Sequence, residues 1–197
     1  MPARAAVFLD RDGTLVREVD YLTSAAQLRL LRGAAAALRR LNEAGLAVVV
    51  VTNQSGVARG LLSEAELEAI HGDLRRRLAR HGARLDGVYY CPHHPEAPLP
   101  RYRRRCQCRK PAPGLLRRAA RELGLDLGRS FAVGDSARDL EAGKRAGCRT
   151  ALVRTGYGAA TEAELRQRPT LADHVADDLS GAVAWILGVC GPGPRRR

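Results

Sequence analysis

The apolar residues of this chain fall into short continuous runs alternating with stretches of helical spacing. Residues 5–9 form a brief apolar run ending at the acidic, glycine-containing segment Asp10-Arg11-Asp12-Gly13, which predicts a buried strand followed by a functional loop. Residues 30–44 carry Leu38 and Leu41 at helical spacing, with Gly45 where a C-terminal cap belongs. Residues 46–51 are continuous and β-branched, the mark of a strand covered on both faces. Ser63 and Glu66 form a capping-box pattern ahead of Leu67, Ile70, Leu74 and Leu78, which share one helical face. Residues 88–91 predict another strand, and residues 92–113 show no period at all. Pro113 opens a helix with Leu115, Leu116, Ala119 and Leu123 inward and Gly124 as its stop. A strand at 130–133, a helix at 137–146, a strand at 150–153 and helices at 161–168 and 179–189 complete the pattern. No internal repeat is visible.

Strands alternating with helices predict an open, mostly parallel α/β sheet, and in such sheets ligands bind beyond the carboxyl ends of the strands. The polar groups there are Asp10 and Asp12, Thr52 and Asn53, and Asp135 and Asp139. With 197 residues, 45% of them hydrophobic, the chain can bury a sizeable core in one domain. Aromatic residues make up only 4%, which argues against a stacking platform for single strands. No apolar run reaches the ~20 residues of a membrane span, and the first is too short for a signal-peptide core, so a cytoplasmic protein is expected. The net charge is +12, and all but two of the 33 basic residues are arginine. Clusters at 75–77, 101–105 and 195–197 read most plainly as solvated surface, a skew that codon bias alone can produce. The functional alternative is steering of anions, or a zinc-stabilised nucleic-acid-binding module.

Two carboxylates one residue apart before a glycine suit a plain turn, but chemistry gives each a task. Asp10 can attack phosphorus to form an aspartyl-phosphate. Asp12 can protonate the leaving alkoxide and later take a proton from water. The two then need different environments: a cation beside Asp10 and a drier position for Asp12. The segments F-L-D-R-D-G-T at 8–14, V-T-N-Q-S-G at 51–56, C-R-K-P at 108–111 and G-D-S-A-R-D at 134–139 resemble, in order, the four motifs of the haloacid dehalogenase-like phosphatases. The likeness spans roughly residues 5–155 and is nearest to the family acting on the 7-phosphate of heptose 1,7-bisphosphate, with histidinol-phosphate phosphatases as the alternative.

That resemblance implies a Rossmann-like sheet with helices on both faces, a minimal cap and one domain over residues 1–190, followed by a flexible basic tail. It makes Asp10 the nucleophile, Asp12 the general acid/base, and Thr52 and Lys110 the phosphate-stabilising pair. Mg²⁺ falls to the side chains of Asp10 and Asp135 and the backbone carbonyl of Asp12, with Asp139 orienting Lys110 or a metal-bound water. Sugar contacts fall to Glu18, Val19, Asp20, Tyr21, Asn53, Gln54, Ser55 and Arg109, in an open, shallow pocket. Ser136 departs from the pattern, because related bisphosphatases carry lysine there. The implied partner is a small phosphorylated sugar, with neither nucleic acid nor membrane, and a monomer is expected.

The irregular stretch needs its own explanation. Cys91-Pro-His93 and Cys106-Gln-Cys108, twelve residues apart, are two short-spaced pairs of soft ligands that suit a tetrahedral structural Zn²⁺. A disulfide is the alternative. The resemblance selects His93 over its neighbour His94 and places the zinc loop at 91–108. Cys108 directly precedes Arg109 and Lys110, so a zinc knot would fix the stem that aims both cations. Cys148 and Cys190 read as small buried residues.

Overall fold

The computed structural model describes residues 3–191; the tail beyond them, with its cluster at 195–197, lies outside the described residues. Six strands form one sheet: β1 (Ala6–Leu9), β2 (Ala47–Asn53), β3 (Gly87–Cys91), β4 (Phe131–Gly134), β5 (Arg149–Val153) and β6 (His174–Ala176). Their spatial order is β3-β2-β1-β4-β5-β6, and every pairing is parallel. The chain winds outward from β1 to β3, then returns to the other flank of β1. The carboxyl ends of β1 and β4 therefore border the crevice where the winding changes direction, the usual ligand position in an open α/β sheet.

Among the described residues seven α-helices flank the sheet: α1 (Ala34–Glu43), α2 (Ser55–Ala58), α3 (Glu64–Ala79), α4 (Gly114–Leu123), α5 (Ala137–Ala146), α6 (Gly158–Leu165) and α7 (Leu179–Cys190). Val7 and Leu9 of β1 face a core shared with α1, α3 and α7, whereas Ala6 and Phe8 face a second core with α4 and α5. All of β1 is buried, which is why its sequence is continuously apolar rather than alternating. The predicted capping box opens α3: Glu66 donates its backbone N–H to Ser63 Oγ, and the Glu66 carboxylate accepts from the Ser63 backbone. Among the described residues no helix is long and apolar enough to cross a membrane.

Four expectations need correction. β6 is an additional edge strand of three residues, too short to leave a period in the sequence. The helix expected at 161–168 begins at Gly158 and ends at Leu165, so Thr161 lies within it rather than at its start. Leu123, expected inward, is exposed at the end of α4, where it overhangs the start of edge strand β3 near Gly87. Cys190 is exposed at the end of α7, while Cys148 is buried as expected.

Candidate active site

The polar residues expected at the strand ends do converge. Asp10 continues β1 by donating its N–H to Val133 O of β4 (3.0 Å). Lys110 reaches in from the irregular stretch, and its buried ammonium donates to Asp10 Oδ1 (2.7 Å) and Val51 O (2.8 Å) and lies 2.6 Å from Asp139 Oδ1. Burial works against that charge, but the two carboxylates outweigh it and hold the Lys110 pKa above its ordinary value. Asp139 is fixed in turn as the N3 residue of a capping box with Ser136 at the start of α5. Asp135 accepts from Tyr157 N (2.9 Å) through Oδ2. A Cβ at Gly13 or Gly156, both at positive φ, would stand about 2 Å from that oxygen, so both positions are closed to any side chain.

Three carboxylates, Asp10, Asp135 and Asp139, bring oxygens within 4.8 Å of one another. Lys110 is the one cation bonded to them among the described residues. Burial, reinforced by neighbouring carboxylates, pushes Asp10 up to about 6 and Asp135 up to about 7. This is an anionic site short of positive charge and built from hard oxygens, and a divalent cation fits it. Asp139 spends its oxygens on Lys110 and Ser136, leaving Asp10 and Asp135 as the better-placed ligands.

Asp10 is the drier of the two motif carboxylates, at 12% side-chain exposure against 19% for Asp12, the reverse of the expected order. The reason is Lys110, which supplies the countercharge that makes burial of Asp10 tolerable. Asp12 meets a different cation, the buried Arg11 guanidinium, whose Nε lies 3.0 Å from Oδ1 and 3.1 Å from Oδ2.

Asp10, Asp12, Thr52, Lys110 and Asp135 border one cavity of about 240 Å³. Glu18, Asp20 and Tyr21 border it from the loop after β1, and Asn53, Gln54, Ser55 and Arg109 from the other side. Val19 does not line it; its side chain packs against the larger core. The two amides serve inside the site. Asn53 Oδ1 accepts from Lys110 N (3.0 Å) and its Nδ2 donates to Lys110 O (3.1 Å), clasping the Lys110 backbone. Gln54 Nε2 donates to Asp12 Oδ2 (2.9 Å) and Thr52 Oγ1 (2.8 Å), so both its N–H groups are spent. Burial, then the charge of Asp12, raises the Glu18 pKa. Arg138 and Tyr157 also line the cavity, and nothing in the periodicity marked either. Burial lowers the Arg109 pKa, and the like charges of Arg138 and Arg59 add to that.

The sulfurs of Cys91, Cys106 and Cys108 lie 3.2–3.5 Å apart. His93 Nδ1 stands 3.4 Å from Cys108 Sγ and 3.7 Å from Cys91 Sγ. A tetrahedral Zn²⁺ with bonds of ~2.3 Å to sulfur spaces its ligands by about 3.5–3.8 Å, so the four atoms, up to a few tenths of an ångström closer than that, need only spread slightly to hold such an ion. His94 is not part of this group and accepts from Glu96 N through Nδ1 (3.2 Å). The knot is tied to the pocket twice: Arg109 donates to His93 O (3.1 Å), and Gln54 N donates to Cys91 O (2.8 Å).

Known proteins resemble this chain in sequence and in fold. A family model described as HAD-hydrolase-like matches residues 107–182. The D-glycero-beta-D-manno-heptose-1,7-bisphosphate 7-phosphatase of Rhodopseudomonas palustris is 48% identical over 146 residues, covering 74% of this chain and 81% of that protein. The protein of the same name from Photorhabdus laumondii is 42% identical, covering 92% and 96%. The crystal structure of D,D-heptose 1,7-bisphosphate phosphatase from B. bronchiseptica, complexed with magnesium and phosphate, superposes with a TM-score of 0.82 at 39% identity, covering 94% of this chain and 99% of that one. Kinship at this level over nearly the full length means that the chain belongs to the haloacid dehalogenase-like phosphatases and, among them, to the heptose-1,7-bisphosphate 7-phosphatase family.

Proposed function

We propose that this enzyme hydrolyses the 7-phosphate of D-glycero-D-manno-heptose 1,7-bisphosphate to the 1-phosphate and inorganic phosphate, through a phosphoaspartate at Asp10. The observation that carries this reading is the gathering of Asp10, Asp12, Thr52, Lys110 and Asp135 around one cavity at the switch point of the sheet.

An Asp10 carboxylate oxygen attacks phosphorus while the bond from phosphorus to the sugar O7 breaks, and Asp12 delivers its proton to O7. Water then attacks the phosphoaspartate and gives its proton back to Asp12, and the bond to Asp10 breaks as phosphate leaves. Lys110 keeps Asp10 ionised and aimed, and its charge lies beside the phosphoryl oxygens as they gain negative character. Thr52 Oγ1 already accepts from Gln54, so its O–H is left to donate to one of those oxygens. Mg²⁺, held by Asp10, Asp135 and the Asp12 carbonyl, would supply Lewis-acid neutralisation of the transferring group.

A structural Zn²⁺ on Cys91, His93, Cys106 and Cys108 would leave no coordination position open for water and would anchor Arg109 through the His93 carbonyl. Thiolate ligands persist in a reducing compartment, which supports a cytoplasmic enzyme. Arg109 faces the cavity as the cation for a second anionic group of the substrate.

The test is phosphate release from a panel of heptose 1,7-bisphosphate, heptose 7-phosphate and histidinol phosphate, each with Mg²⁺ and with EDTA. The bisphosphate should give the highest kcat/KM, and only with Mg²⁺. Preference for histidinol phosphate would overturn the substrate assignment, and turnover undiminished in EDTA would overturn the metal.

A further inference from the structure

Arg11 is among the largest fully buried side chains of the protein, at 1% exposure, and it lies between the nucleophile and the acid in the chain. An interior guanidinium is costly unless its donors are used. Here every nitrogen has a partner, and two of the three lie against Asp12. Nε is shared between both Asp12 oxygens, and Nη2 lies 2.9 Å from Asp12 Oδ2 and donates to Gln54 Oε1 (2.9 Å). Nη1 stands 3.3 Å from His71 Nε2 on α3. A guanidinium has no acceptor, so His71 Nε2 carries the lone pair and its proton sits on Nδ1, which is buried without a partner. An unsatisfied interior N–H is tolerated only where something else fixes the ring.

The two Asp12 oxygens are thereby made unequal. Oδ2 is approached by Arg11 Nε and Nη2 and by Gln54 Nε2, whereas Oδ1 meets only the shared Nε. We infer that Arg11, braced by His71 and Gln54, is a positioning residue that pins Asp12 through Oδ2 and leaves Oδ1 to carry the proton. This rests on the phosphatase reading, with Asp12 as acid and then base. Proton delivery to O7 and proton removal from water both then run through Oδ1, whereas Arg11 bonds neither Asp10 nor Lys110 and reaches the phosphate contacts only at one remove, through Gln54 to Thr52.

That separation is measurable. The leaving group of p-nitrophenyl phosphate needs no acid, so nitrophenolate release with enzyme in excess reports the Asp10 attack alone. Phosphate release in the same reaction reports the water step, which needs Asp12. In Arg11→Met, turnover of the sugar bisphosphate should fall about 100-fold with KM changed by less than about threefold. Nitrophenolate release should stay within about threefold of wild type, while phosphate release slows at least about tenfold. Arg11→Lys should recover part of the loss. Both releases slowing together, or neither slowing, would overturn the inference. If Arg11→Met does not fold, His71→Phe keeps the ring volume and removes the brace, and the same unequal slowing, smaller, is expected; equal slowing again overturns it. Asp12→Asn serves as the control: full sugar-phosphate turnover there would instead sink the acid–base reading itself.

Discussion

The floor and the rim of the pocket are built on opposite terms. On the floor, Asp139 and Asn53 bond to Lys110, Gln54 bonds to Asp12 and Thr52, and the charges of Lys110, Asp135 and Asp139 are buried. On the rim, Tyr21 and Tyr157 are exposed, Asp20 sits at a φ of 55°, and Tyr157 Oη stands 3.4 Å from Asp20 Oδ1. Arg109 and Arg138 line the cavity there, and the like charges of Arg138 and the nearby Arg59 act against that of Arg109. The floor is organised before substrate arrives, as transition-state stabilisation demands. The rim lacks that internal bonding, and among the described residues Arg109 and Arg138 have no ion-pair partner. The difference separates chemistry from selection: floor variants should move kcat, and rim variants KM.

The largest effect belongs to Asp10→Asn, which should cut turnover by at least ~10³-fold without lowering the melting temperature, since it removes a buried charge. Retained turnover would end the division at once. Lys110→Met leaves two interior carboxylates without their countercharge and should cost about 3–5 kcal/mol in urea unfolding, with Mg²⁺ recovering part. Cys108→Ser should lower zinc content, by mass spectrometry, and turnover together, each by about tenfold or more; full turnover without zinc would detach the knot from the floor.

A pH experiment sharpens the floor further. Burial first, then the charges of Arg11 and Arg75, pull the His71 pKa down to about 3 from 6.5. The unfolded chain therefore takes up a proton below pH 6.5 that the folded chain refuses. Stability from this group is complete above pH 6.5 and declines as pH falls toward 3, by roughly 3 kcal/mol at pH 4. His71→Phe should flatten that slope in denaturant titrations from pH 7 to 4. The smallest effect is expected on the rim, where Arg138→Ala should raise KM for the bisphosphate about tenfold at unchanged kcat. An equal fall in kcat would show that rim and floor are not separable.

The same division governs what the sequence discloses. The strands bearing Asp10, Thr52 and Asp135 are continuous apolar runs ended by polar residues, a signal that needs no tertiary information. The Cys91, His93, Cys106 and Cys108 group is equally open, because soft ligands at short spacing have few other reasons to cluster. Arg11 was illegible, because nothing local marks an arginine as interior. His71 left a trace, falling four residues after Leu67 on the buried face of α3, but a lone histidine on such a stripe reads as core. The resemblance gave Asn53 and Gln54 to the substrate; both border the cavity, and their bonds to Lys110 and Asp12, across 57 and 42 residues of chain, are contacts that no local period marks. Arg138 and Tyr157 reach the cavity only through the packing of α5 and the loop before α6, which no period encodes.

β1 and β4 each have a strand hydrogen-bonded on both flanks, and they deliver Asp10 and Asp135. Amides of such interior strands exchange with solvent only when the sheet comes apart as a whole. The loop carrying Asp20 and Tyr21 is under no such constraint. Deuterium uptake should be faster there and slowest at Phe8 and Val133, so the reacting carboxylates keep their spacing for as long as the sheet itself holds.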